Sequence, residues 1–116
     1  MSLEAPTHEL KAQYWAELST CVLGEVGAWE ARSPSEVLDK VGRGAGHCYS
    51  VRHKGELYNV VVELLENTEG YLHVMLEAQP DDPVRIETMA DPPPRVGGGY
   101  SDRQMAMVSE SFLIAR

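Results

Sequence analysis

The chain has 116 residues, with 18 acidic against 10 basic side chains and a net charge of −8. That balance argues against a nucleic-acid backbone or an anionic membrane surface as partner, because both need clustered Lys and Arg. It leaves a basic protein as a compatible partner. A length of 116 residues and a hydrophobic fraction of 43% suit a single domain, residues 1–116, whose core needs neither disulfides nor metals.

Cys21 and Cys48 make no disulfide framework. The N-terminal stretch lacks a basic segment followed by an apolar one, so no signal peptide is expected and a reducing, cytoplasmic setting is the default.

In chain order, residues 1–6 are expected to be disordered. Thr7 can cap a helix whose apolar stripe runs through Leu10, Tyr14, Leu18, Val22 and Val26, with Trp15, Cys21 and Trp29 beside it. The helix is expected to reach about Ala31. Gly24 and Gly27 weaken its second half, each by roughly 1 kcal/mol against Ala. Their expected use is a close approach to the sheet. Ser33-Pro34-Ser35-Glu36 is a capping box with proline at the first helical position, which predicts a short helix over Pro34–Val41. Gly42, Gly44 and Gly46 end it.

His47–Ala78 predicts two consecutive hairpins. A two-residue Lys54-Gly55 turn pairs His53 with Glu56, Val51 with Tyr58, Tyr49 with Val60 and His47 with Val62, and keeps one face apolar. For the second hairpin, Asn67-Thr68-Glu69-Gly70 suits a three-residue loop with Asn67 opposite Tyr71. Leu64 then faces Val74, Val62 faces Leu76, Val60 faces Ala78 and Leu65 faces His73. The inner face is predicted as His47, Tyr49, Val51, Tyr58, Val60, Val62, Leu64, Leu72, Val74, Leu76 and Ala78. The outer face carries Val61, Leu65, His73 and Met75 among polar residues.

Val84–Met89 alternates and is read as a fourth strand. Asp91–Gly99, with three prolines and three glycines, is read as an irregular connection. Ser101-Asp102-Arg103-Gln104 is a second capping box, and Met105, Val108 and Phe112 recur at helical spacing. Residues 101–116 are therefore expected to be helical, with a terminal strand through Phe112-Leu113-Ile114 as the rival. The predicted fold class is α+β: helices on one face of a four-stranded antiparallel sheet, in the order α-α-β-β-β-β-α. In outline this layout resembles cystatin-like and nuclear-transport-factor-like cones. The likeness is one of layout, with no sequence motif behind it, and it implies nothing about function.

Two function classes follow. The first is a small, acidic, non-enzymatic interaction protein of immunity or chaperone type, expected to be homodimeric, with Val61, Leu65, His73 and Met75 as its interface. The second is a ligand-binding protein or enzyme with a pocket between helix and sheet near His47, Tyr49 and Tyr58, where a histidine could serve as acid or base. No cofactor is indicated. A metal site is not expected either: His47 and His53 lie roughly 20 Å apart along one strand and His73 is on the other face. The glycine run before Ser101 lacks the Gly-Lys-Ser/Thr of a phosphate loop.

Overall fold

The computed structural model describes residues 5–42, 44, 46–90 and 106–116, with residues 5–8 as backbone only. Three helices and four strands follow in the order α1 (Ala5–Glu30), α2 (Pro34–Val41), β1 (His47–His53), β2 (Glu56–Asn67), β3 (Tyr71–Pro80), α3 (Pro83–Met89) and β4 (Val108–Ala115). The strands form one antiparallel sheet in sequential order, β1-β2-β3-β4. The α+β class, the four strands and the helix-covered face are as the sequence indicates. The last two elements stand in the opposite order, helix before strand.

Helix α1 begins before Thr7, at Ala5, so the last two of residues 1–6 are helical rather than disordered, and residues 1–4 lie outside the described residues. It buries Leu18, Cys21, Val22 and Trp29, with Tyr14, Trp15 and Val26 packed alongside. It runs through Gly24 and Gly27, which are exposed, with no atom within 4 Å of where a Cβ would stand. The close approach to the sheet is therefore not made. Helix α2 forms as predicted: Ser33 Oγ accepts from the Glu36 N–H at 3.3 Å and donates to the Glu36 carboxylate at 3.2 Å. Its stop depends on Gly42, because a Cβ there would stand 2.5 Å from the Leu38 carbonyl oxygen.

The first hairpin has the predicted register throughout, from His47–Val62 to His53–Glu56. Lys54 and Gly55 both have positive φ, 50° and 83°, as a tight right-twisting turn requires. The body of the second hairpin is also as predicted, from Val60–Ala78 to Leu64–Val74. Its tip is different. Leu65 is left without a partner as a bulge, and Glu66 instead faces His73. The cause is Thr68, whose hydroxyl accepts from the Gly70 and Tyr71 N–H groups at 3.2 and 3.0 Å and donates to the Tyr71 carbonyl at 3.0 Å. That clamp, with the Thr68 N–H on the same carbonyl, shortens the loop to Glu69-Gly70, and the surplus residue is absorbed one turn back.

Residues 83–89 are helical rather than extended. Asp82 caps them, its carboxylate accepting from the Val84 N–H at 3.0 Å, and Pro83 sits at the first helical position. The burial period is four, not two: Arg85 and Met89 face inward and Val84 is exposed. The fourth strand is β4, pairing Val74 with Phe112 and Leu72 with Ile114. Met105 and the capping box at 101–104 lie outside the described residues; Val108 and Phe112, read as helical, are two inward positions of this strand.

The core joins the inner face of the sheet to residues of all three helices. Tyr58, Val62, Leu72, Val74 and Leu76 are completely buried there, with Val37 from α2 and Met89 from α3. No outer-face strand residue belongs to that cluster.

Candidate functional site

The inner and outer faces offer different sites. The register assigns Val61, Met75 and Leu113 to adjoining outer-face positions. Val61 pairs with Cys48 and Glu77, Met75 with Glu63 and Ser111, and Leu113 with His73. Among them Leu113 is 58% exposed, and Leu65 at the bulge is 47% exposed. Met107, just ahead of β4, adds a further exposed apolar side chain. It lines a shallow depression of about 140 Å³ with Val61, Asn59, Glu77, Ala78 and Gln79.

The predicted interface residues thus share this side of the sheet, with Leu65 shifted by the bulge. Leu113 and Met107 were missed, because reading 101–116 as a helix hides which of its residues share a face with Met75. The signal was present in the alternation of Ser109, Ser111 and Leu113 with Phe112 and Ile114. Cys48 is exposed on the same face.

The predicted pocket residues divide between two polar clusters on the inner face. In the first, the Tyr49 hydroxyl donates to the Glu25 carboxylate at 2.7 Å and accepts from the Trp29 indole N–H at 2.9 Å. His47 packs edge-on against Trp29 with 5.9 Å between ring centres, and lies 5.4 Å from Tyr49. The Arg32 guanidinium covers the Trp29 ring at 4.5 Å. Burial, together with the Glu25 charge and hydrogen bond, pushes the Tyr49 phenol well above its ordinary pKa of 10.0.

In the second cluster, Tyr58 is fully buried and its hydroxyl accepts from Arg85 Nη1 at 3.3 Å. Arg85 is itself buried. It pairs with Glu17 at 3.0 Å and Glu56 at 3.5 Å, and its guanidinium lies 4.0 Å from the centre of the Tyr14 ring. Burial alone would lower the Arg85 pKa, but the Glu17 hydrogen bond and the nearby Glu56 charge raise it above its ordinary value. Glu17 is shifted downward, first by the Gln13 amide that donates to it and then by Arg85. The Trp15 indole N–H donates to the Met89 carbonyl at 3.2 Å, so α3 is tied to α1 twice.

The Tyr49 and Tyr58 hydroxyls are thus both engaged by protein groups. Among the described residues, neither the depression beside Met107 nor a second cavity touches His47, Tyr49 or Tyr58. The second of these, about 250 Å³, is lined by Val41, Gly42, Gly44, Gly46, Glu63 and Leu64. The His53 ring packs on Tyr58, and its Nε2 is buried without a hydrogen-bond partner among the described residues. Burial and the Glu25 charge push the Cys21 thiol up to about 11, which keeps it protonated and unreactive at neutral pH. No group of three or more His, Cys, Asp and Glu among the described residues is placed to hold a metal ion.

Comparison of the chain with protein-family models, with curated proteins and with solved structures finds no match. No helix among the described residues is long and apolar enough to cross a membrane.

Proposed function

We propose that this chain is a non-enzymatic, homodimeric interaction protein that docks through the outer face of its sheet. One observation carries the reading. Leu113, 58% exposed, adjoins Met75, which in turn adjoins Val61, on a face that contributes nothing to the core. Contiguous exposed apolar surface of this kind marks interaction sites in folded proteins. The occupant is a second copy. The charged strand residues on that face are Arg52, Glu63, Glu66 and Glu77, and a two-fold arrangement lets the three carboxylates lie at a wet rim or meet Arg52 of the other copy. A net charge of −8 also suits a basic protein in an immunity- or chaperone-type role, which is the competing occupant.

Sedimentation tests the reading. Met75→Glu places a charge inside the patch and is expected to halve the assembly's mass with unchanged far-ultraviolet circular dichroism. A wild-type chain that is monomeric at high micromolar concentration, or a mass untouched by the substitution, overturns the proposal.

A further inference from the structure

Among the described residues, strand β4 lies at one edge of the sheet, and two backbone hydrogen bonds fix what that edge presents. The Asp81 N–H donates to the Leu57 carbonyl at 3.0 Å, and the Arg116 N–H donates to the Gly70 carbonyl at 3.1 Å. In an antiparallel ladder a residue sends its N–H and its C=O to the same neighbour, and the next residue sends both to the other side. The first bond therefore aims the odd-numbered residues of β3 at β2 and its even-numbered residues at β4. The second independently aims the even-numbered residues of β4 at β3. Ser109, Ser111, Leu113 and Ala115 are left with their backbone groups pointing away from the sheet. The strand has no proline, no lysine and no bulge to protect that edge.

We infer that β4 pairs antiparallel with β4 of a second copy, about a two-fold axis through Leu113, to give one continuous eight-stranded sheet. The register follows from self-complementarity. Centred on Leu113, the strand sets Phe112 opposite Ile114 of the other copy, and Ser111 opposite Ala115. It also sets Glu110, the one charged residue of β4, opposite Arg116, and the two-fold makes each of these contacts twice. The outward-aimed residues meet one another, so Ser111–Ala115, Leu113–Leu113 and Ala115–Ser111 are the hydrogen-bonded pairs.

Neighbouring registers are worse. A centre on Ser111 sets Glu110 against Phe112, and a centre on Phe112 sets it against Ile114. Arg116 already gives Nη1 to Asn67 Oδ1 and, at 3.1 Å, to the Thr68 carbonyl. A guanidinium has five donors, so others remain for the carboxylate. The opposite edge has no equivalent solution: β1 carries Arg52 but no acidic residue, so no self-pairing of β1 gives an ion pair.

This edge contact does not rest on the face contact proposed above; the two together make the assembly a dimer of dimers, and sedimentation separates them. Ser111→Pro removes an outward N–H without removing a bond to β3, and an edge strand tolerates proline there. It is expected to halve the mass of the assembly. Together with Met75→Glu it is expected to leave a monomer. Because proline could disturb the strand itself, charge reversal supplies the second arm. Glu110→Lys and Arg116→Glu should each weaken association by roughly tenfold, since each sets like charges opposite one another twice. The double variant should restore it. Edge pairing is overturned if Ser111→Pro leaves the mass unchanged, or if the double charge reversal fails to rescue the singles. A loss of mass with Met75→Glu but none with Ser111→Pro would uphold the face contact and reject the edge.

Discussion

The two faces of the sheet are made by the same strands, in alternate residues, and they have opposite fates. On the inner face Val60, Val62, Val74 and Leu76 are buried to within 1% exposure, under helices whose own apolar stripes are aimed at them. On the outer face Val61 and Met75, one position along, remain half open. Propensity does not distinguish Val61 from Val62. The register and the cover do. Burial is thus a property of which side the helices take, and the apolar residues left on the other side mark where something else is accommodated.

The comparison can be broken most severely at the centre of the inner face. Leu76→Ala is expected to cost about 2–4 kcal/mol in chemical denaturation, through lost transfer energy and a cavity the neighbours cannot fill. Met75→Ala should cost the monomer well under about 1 kcal/mol, as expected for a partly exposed site. Equal losses would mean that the outer face is as covered as the inner.

The polar anchor of α3 tests the inner face at its end. Arg85→Ala is expected to cost about 3 kcal/mol, because it strands Glu17 and Glu56 and empties the space over Tyr14. Arg85→Met, which keeps the packing, should cost less. Acid should act through the same cluster. Glu17 has a folded pKa below its ordinary 4.5, so the unfolded chain binds its proton more readily than the folded one. Its contribution is complete above the ordinary value and disappears as pH falls through the folded one. A Glu17→Gln variant should therefore lose less stability than wild type between neutral pH and pH 3, in paired denaturation curves. An unchanged acid response would show that the ion pair does not stabilise the fold.

The smallest effect sharpens the contrast on α1. Gly24 and Gly27 face open space, so Gly24→Ala should raise stability by about 0.5–1 kcal/mol through the lost freedom of the unfolded chain. A loss instead would mean that another chain, or a segment outside the described residues, lies against that side of the helix.

Local chemistry settled the elements where a short signal had no competitor. Ser33-Pro34 with Glu36 specifies a helix start, and Lys54-Gly55 specifies a hairpin whose register then fixes fourteen paired positions of β1 and β2. Both depend only on residues adjacent in sequence. Misreading occurred where two periods fitted the same residues. Val84, Ile86 and Thr88 alternate, but Asp82 and Pro83 start a helix, and the buried pair is Arg85 and Met89. Likewise Val108 and Phe112 lie four apart, as on a helix, and also on one face of a strand. What decided between these was the exposed edge of β3, which required a partner, and the carboxylates of Glu17 and Glu56, which met Arg85 from α1 and β2.

The candidate site divides in the same way. Val61, Leu65, His73 and Met75 were legible because the two-residue period of a strand fixes which side chains share a face. Leu113 and Met107 were not, because their place on this face depends on β4 pairing with β3 across the 27 residues, 81–107, that separate the two strands. The sequence by itself determined the helix caps, the first hairpin and the two-sided chemistry of β2 and β3, since each rests on neighbours within a few residues. Only the tertiary structure decided the Leu65 bulge, the helical state of residues 83–89, the polar networks of Tyr49 and Tyr58 and the edge presented by β4. Those outcomes come from contacts between distant segments, whose energies outweigh local preferences that are themselves nearly balanced.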